Sequence, residues 1–256
     1  MTLVDVERRG AAAVITFRRE EKLNALSSAL EAAIAAALGG AQVRDARCVV
    51  FTGGPRAFSA GADVGELRDM DPAAILAYYR TTGRVYARVA RLPQPTISAI
   101  AGHCLGGGFE LALATDFRVV EPSASFGLPE VGIGILPSSG GTLRLTRLLG
   151  TARAKELILL GDRFGAEEAH RLGLVTELAD EGAGLARALE LAERLAALPP
   201  VAVAVAKQVI DAMPDASYDA GLALERLAYG LLAQTDDHRE ATAAFEEKRP
   251  PRFGGR

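Results

Sequence analysis

Tryptophan is absent from the 256 residues, and cysteine, histidine and methionine occur only two, three and three times. Two cysteines cannot build a disulfide framework. Cys48 and Cys104 each lie in an apolar run, the setting of a buried free thiol. No apolar stretch reaches the roughly 18 residues of a membrane span. The first ten residues, MTLVDVERRG, are too charged for a secretory signal. An excess of positive charge is missing too: 29 Lys and Arg stand against 32 Asp and Glu, a net charge of −3. That balance lacks the overall basic footprint of a nucleic-acid-binding surface. These absences leave a soluble cytoplasmic protein, with neither membrane nor nucleic acid as partner, as the expectation.

Apolar residues make up 49% of the chain and charged ones 24%, enough apolar material for a substantial core. The length suits one large domain or two small ones. Residues 11–19 (AAAVITFRR) read as a strand, and 24–38 (NALSSALEAAIAAAL) as a helix. Residues 47–54 (RCVVFTGG) form a continuous apolar run, as in a strand covered on both faces. An Asp cap and a first-turn Pro open a helix over 71–92. A strand follows at 93–102, a helix at 107–114 and two short extended pieces within 117–134. The helix over 141–161 carries a break near Gly150, and 173–180 returns to a strand. This alternation is α/β. Beyond about residue 184 the pattern is almost entirely helical.

Two glycine-bearing segments follow apolar strands: AFSAGAD (57–63) and LGGGFE (105–110). Each alone is an ordinary strand-to-helix turn. Side by side, they could present one backbone N–H apiece to a developing oxyanion, since a helix start leaves such groups unpaired. Neither segment has the spacing of a phosphate-binding loop, so a nucleotide site is not supported. Ser59 in AFSAG brushes against a nucleophile elbow, but the strand ends several residues earlier at Gly53 and Gly54. His170 and His238 lie in charged helical stretches, and His103 reads as a strand-end residue, so a serine triad finds no base.

Two carboxylates are oddly placed. Glu110 sits inside FELALA, on a helix that is apolar all round until Asp116 and therefore buried. Glu130 sits in GLPEVGIG, again in apolar company. A buried carboxyl must be paired, neutral or functional. Two structural glutamates bonded to backbone or arginine are one reading. An acid and a base with separated pKa values are the other.

The succession FSAGAD, AGHCLGGGFELALATDFRVV and FGLPEVGIGILPSSGGTLRL resembles the enoyl-CoA hydratase/isomerase family, the crotonases. The likeness runs from RREEKLNALSSAL to FEEKRPPRF, nearly the whole chain. It implies an α/β spiral of repeated strand–strand–helix units over 1–195, carrying the active site. It also implies a helical region over 196–256 that packs on the core and on neighbours, in a homotrimer or a homohexamer. The implied substrate is an acyl-CoA thioester, with no separate cofactor and no metal. By motif position, the thioester oxygen would be held by the N–H groups of Ala60 and Gly107. The segment Ala60, Gly61, Ala62 and Asp63 would line the CoA, with Lys22, Phe245 and Lys248 also near it. Family hydratases carry glutamates at both positions held here by Glu110 and Glu130, so the resemblance implies hydration of a trans-2-enoyl-CoA to a 3-hydroxyacyl-CoA. Double-bond isomerisation is the alternative within the family. A non-catalytic or RNA-binding member of the fold is the alternative outside catalysis. Ser138 replaces a common glycine, and His103 and Cys104 stand at variable positions. Ala77, Tyr78 and Tyr79 are expected near the acyl tail.

Overall fold

Residues Ala12–Phe17 are buried at every position, as a strand covered on both faces must be. They lie second in a six-stranded sheet. In the computed structural model, residues 2–68 and 70–256 are described, apart from the side chains of 79 and 81–83. The described residues form ten strands. In chain order these are β1 (Val4–Arg9), β2 (Ala12–Phe17), β3 (Cys48–Thr52), β4 (Ala57–Ser59) and β5 (Thr96–Ile100), then β6 (His103–Leu105), β7 (Phe117–Val120), β8 (Ser125–Gly127), β9 (Phe164–Gly165) and β10 (Glu177–Leu178).

The larger sheet runs β1-β2-β3-β5-β7-β10 and the smaller β4-β6-β8-β9. β3 and β4, β5 and β6, and β7 and β8 form successive couples, one strand for each sheet, with a helix before the next couple. That is the expected strand–strand–helix spiral. The pairings β4–β6 and β6–β8 are parallel. Four of these strands, β1, β4, β6 and β9, lie outside the strands read from sequence. β4 and β6 have three residues each, too short for an alternation to register.

The helix Gly184–Ala196 belongs with the core: its Ala188, Leu191 and Ala192 pack on the outer face of the larger sheet with Val14, Val50 and Ile97. The helices Pro200–Ala212 and Tyr218–Leu232 bury almost nothing within the chain. Lys207 nevertheless anchors the first of them. Its Nζ lies 2.7 Å from Asp116 Oδ2, which also accepts the Thr96 N–H at 2.7 Å. The expected break in Gly141–Leu160 falls at Gly150, where φ is 75° and ψ is 165°.

The helix Gly107–Leu113 packs on β4 and β6 of the smaller sheet. Phe109 packs on Phe126 and Phe164, with ring centroids at 5.3 and 6.0 Å. A close approach to β4 demands glycine at 108, where a Cβ would stand 2.5 Å from the Ser59 carbonyl oxygen. Gly108→Ala should therefore push the helix off β4 and cost about 1–3 kcal/mol, on the scale of overpacking. An unchanged Tm in thermal unfolding would contradict that account.

Candidate active site

The C-terminal ends of β4, β6 and β8 stand next to one another, because these parallel strands are hydrogen-bonded neighbours, with one register shift between Ala57 and Ser59. Ala60–Asp63 follows β4, Gly106–Glu110 follows β6, and Glu130 opens a short 3-10 turn, Glu130–Ile133, shortly after β8. The Gly106 N–H donates to the Gly127 carbonyl at 2.9 Å and fastens the second loop to the third strand. A cavity of about 100 Å³ lies here. Ala60, Gly61, Ala62, Gly107, Glu110 and Glu130 all line it. Lys22, Asp63, Phe245 and Lys248 do not.

The first loop differs from expectation in one atom. The Ala60 N–H is donated to the Leu23 carbonyl at 2.9 Å and so does not face the cavity. Leu23 and Asn24 both have positive φ, 50° and 52°, which turns that carbonyl toward the loop. Asn24, fully buried, locks the turn: its Oδ1 accepts the Arg19 N–H at 2.9 Å, and its Nδ2 donates to the Ala57 carbonyl at 2.9 Å. Two residues on, Leu26 donates to the Gly61 carbonyl at 2.8 Å and accepts from the Asp63 N–H at 3.0 Å. Residue 62 is bridged between them as a parallel pair. In a parallel bridge the middle residue points its own N–H to the other side. On that side is Gly107, where a Cβ would lie 3.6 Å from the Ala62 nitrogen. Gly107 begins its helix, and the first intrahelical bond there is Glu110 N–H to Gly106 O, at 2.9 Å. The Gly107 N–H is therefore not used by the helix. The pair of N–H groups is Ala62 and Gly107, and the Ala60 assignment is corrected accordingly.

Ser59 is fully buried, and its hydroxyl accepts the Gly61 N–H at 3.2 Å. It is a turn residue. Asp63 pairs with Arg19 at 2.8 Å, and that guanidinium holds its carboxyl below the usual range. Lys22 is exposed on the turn Glu20–Lys22. Phe245 is 86% exposed near the end of the helix Asp236–Glu246. Tyr78 lines the cavity, whereas the side chain of Tyr79 lies outside the described residues.

Glu110 is 3% exposed. Its Oε1 accepts two backbone N–H bonds, from Ser139 and Gly141, each at 2.8 Å. Gly141 is required by proximity, since a Cβ there would stand 2.6 Å from Glu110 Cγ. Arg144 completes this support, donating from Nη1 to the Ser139 carbonyl at 3.0 Å. Burial raises the Glu110 pKa, while the N–H donors and the Arg144 charge pull it back. Glu130 has no comparable support. Its Oε2 is buried and accepts no hydrogen bond among the described residues. Burial, opposed by its own backbone N–H and aided by a smaller push from the Glu110 charge, raises its pKa to about 7. A Cβ on Gly106 would lie 3.1 Å from Glu130 Oε1, which places this carboxyl over the same glycine turn.

The sequence singled out both glutamates but not the groups that distinguish them. The signal for the Glu110 clamp was present in LPSSGGT: two glycines opening a helix leave unpaired N–H groups.

Known proteins of similar sequence and fold identify the family. The family model for Enoyl-CoA hydratase/isomerase matches residues 7–256. The chain is similar to 2,3-dehydroadipyl-CoA hydratase of Escherichia coli strain K12, at 38% identity with 100% of both chains covered. It is 37% identical to the short-chain-enoyl-CoA hydratase of Clostridium acetobutylicum, over 96% of this chain and 95% of that protein. Among solved structures, an enoyl-CoA hydratase from Bacillus anthracis superposes with a TM-score of 0.94 at 38% identity, covering 99% of this chain and 100% of that one.

The raised Glu130 pKa has a consequence for stability. Between pH 4.5, the ordinary glutamate value, and about 7, the folded state binds the proton more tightly than the unfolded state. Its contribution is therefore full at low pH and lost as pH rises through about 7. Glu130→Gln, which never ionises, should raise Tm more at pH 8 than at pH 5. An equal change at both pH values would refute the shift.

Proposed function

This chain belongs to the enoyl-CoA hydratase/isomerase family, and from that premise we propose that it adds water across the C2–C3 double bond of a 2-enoyl-CoA, giving a 3-hydroxyacyl-CoA. The observation that carries the reading is the pair of carboxyl groups on one cavity. One is held by two N–H donors from another segment, and the other has a buried oxygen with no hydrogen bond among the described residues and a pKa of about 7.

The thioester oxygen takes the N–H groups of Ala62 and Gly107. As it gains enolate character, these preset donors stabilise the negative charge, an effect worth about 10²–10³ in rate per donor in comparable sites. Glu110, its carboxylate fixed by Ser139 and Gly141, takes a proton from water as the oxygen bonds to C3. The π electrons move onto the thioester oxygen. Glu130, protonated, gives its proton to C2 as the enolate collapses. One water is added in all, and the proton left on Glu110 returns to Glu130 through solvent. A carboxyl with a pKa near working pH is suited to this donation. The coupled pair titrates together, so activity should fall on both sides of neutrality.

The exposed apolar side chains of the last two helices support a homotrimeric or homohexameric assembly. Tyr218, Leu227, Tyr229 and Phe245 are each more than 70% exposed in the single chain. In such an assembly, Phe245 and Lys248 serve the CoA of a neighbouring subunit. Light scattering should give three or six copies per particle. A monomer at micromolar concentration would rule this assembly out.

Hydration is followed by the loss of absorbance of the conjugated enoyl thioester. Glu130→Gln and Glu110→Gln should each lower kcat by about 10²-fold or more, the usual scale for acid–base groups, with KM changed far less. Hydration at near wild-type rate by either variant would overturn its role.

A further inference from the structure

A third carboxylate stands in the same cavity. The helix Ser28–Leu38 turns Leu30, Ile34 and Leu38 into the core, and Glu31 lies on that face with them. It is 5% exposed, and it lines the cavity together with Glu110 and Glu130. The Tyr78 hydroxyl donates to its Oε1 at 3.4 Å. Tyr86, also on the cavity wall, is fully buried nearby, and its phenol is pushed up by burial first and by the Glu31 charge next. The rest of this wall is mostly aliphatic, including Val64, Leu67, Ile133 and Leu136. No Lys, Arg or His lines the cavity among the described residues.

Nothing in the hydration step uses Glu31. With the thioester held at Ala62 and Gly107, the groups left to meet it are those of the acyl chain. A carboxylate offers about four acceptor positions, enough for a ligand's donor beside its protein partners. An apolar tail would desolvate this carboxylate without offering it a donor, and an anionic tail would meet like charge with no cation on the cavity wall among the described residues.

We propose that Glu31 is a specificity-determining residue, and that the enzyme takes an enoyl-CoA whose acyl chain carries a hydrogen-bond donor of the hydroxyl class, discriminating against chains that end in a carboxylate. The inference rests on the hydratase reading for the placement of the thioester. It separates this pocket from one built for a dicarboxylic acyl group such as the one named for the Escherichia coli relative.

The test uses saturated CoA thioesters, so that binding is read without turnover: butyryl-CoA, 4-hydroxybutyryl-CoA and succinyl-CoA, and their five-carbon homologues, by calorimetry. Wild-type protein should bind the hydroxyacyl member of at least one series about 10-fold or more tighter than the alkyl member, and the carboxylate member about 10-fold or more weaker, on the scale of one hydrogen bond to a charged group. Glu31→Gln should retain the hydroxyl preference and lose most of the discrimination against carboxylate. Glu31→Met should reverse the preference toward alkyl. A merely structural Glu31 would change all three affinities together, and that result overturns the proposal. So does a wild-type preference for alkyl over hydroxyacyl in both series. If Glu31→Met fails to fold, the carboxylate ratio in Glu31→Gln decides. The matching enoyl thioesters are then assayed for hydration. Ordered binding without hydration would defeat the hydratase reading alone, and hydration with unordered binding would defeat this inference alone.

Discussion

Parallel pairing sets the ends of β4, β6 and β8 beside one another, because each is hydrogen-bonded to its neighbour up to its last residues. Ser59 sits beside Cys104, and Leu105 beside Gly127. The loops that leave these three strands therefore emerge side by side. This constraint gathers residues 62, 107 and 130 around one cavity, although 68 positions separate the first from the last. The larger sheet and its helices act as the frame that keeps the three short strands paired.

Within that frame, backbone groups do much of the chemical work. The N–H groups of Ala62 and Gly107 are preset donors, and those of Ser139 and Gly141 hold Glu110. Backbone donors are well suited to this task, since their direction is set by the fold and costs no side-chain entropy to maintain. The glycines at 108 and 141 are the steric condition for this arrangement. Each admits a neighbour that any side chain would displace. The difference between the two carboxyls arises in turn: equal residue types, one given several backbone donors from another segment and the other only its own N–H, acquire different proton affinities.

The cavity wall opposite the reacting groups shows the same economy. A single polar residue on the buried face of the helix Ser28–Leu38 changes a mostly aliphatic pocket into one with a hydrogen-bonding preference. The reaction is decided at the ends of the three short strands. The choice among substrates is decided by a helix from a separate part of the chain.

Much of this was legible in the order of residues alone. Long apolar runs and helical spacing marked β2, β3, β5 and the main helices, because local pattern follows directly from a period of two or 3.6. Glu110 and Glu130 stood out because charge in an apolar run is costly wherever the chain goes. The resemblance brought the spiral and the thioester. What the tertiary structure alone decided is directional. Ala60 and Ala62 are the same residue type in one short loop, and only the turn at Leu23 and Asn24 determines which N–H is consumed and which is presented. Glu31 reads as an ordinary helical glutamate until Tyr78 and the cavity are brought to it from 47 positions away. Sequence determines which groups exist and which are expensive to bury. The direction of an N–H or the company of a carboxylate depends on contacts between distant segments, and no local pattern encodes those.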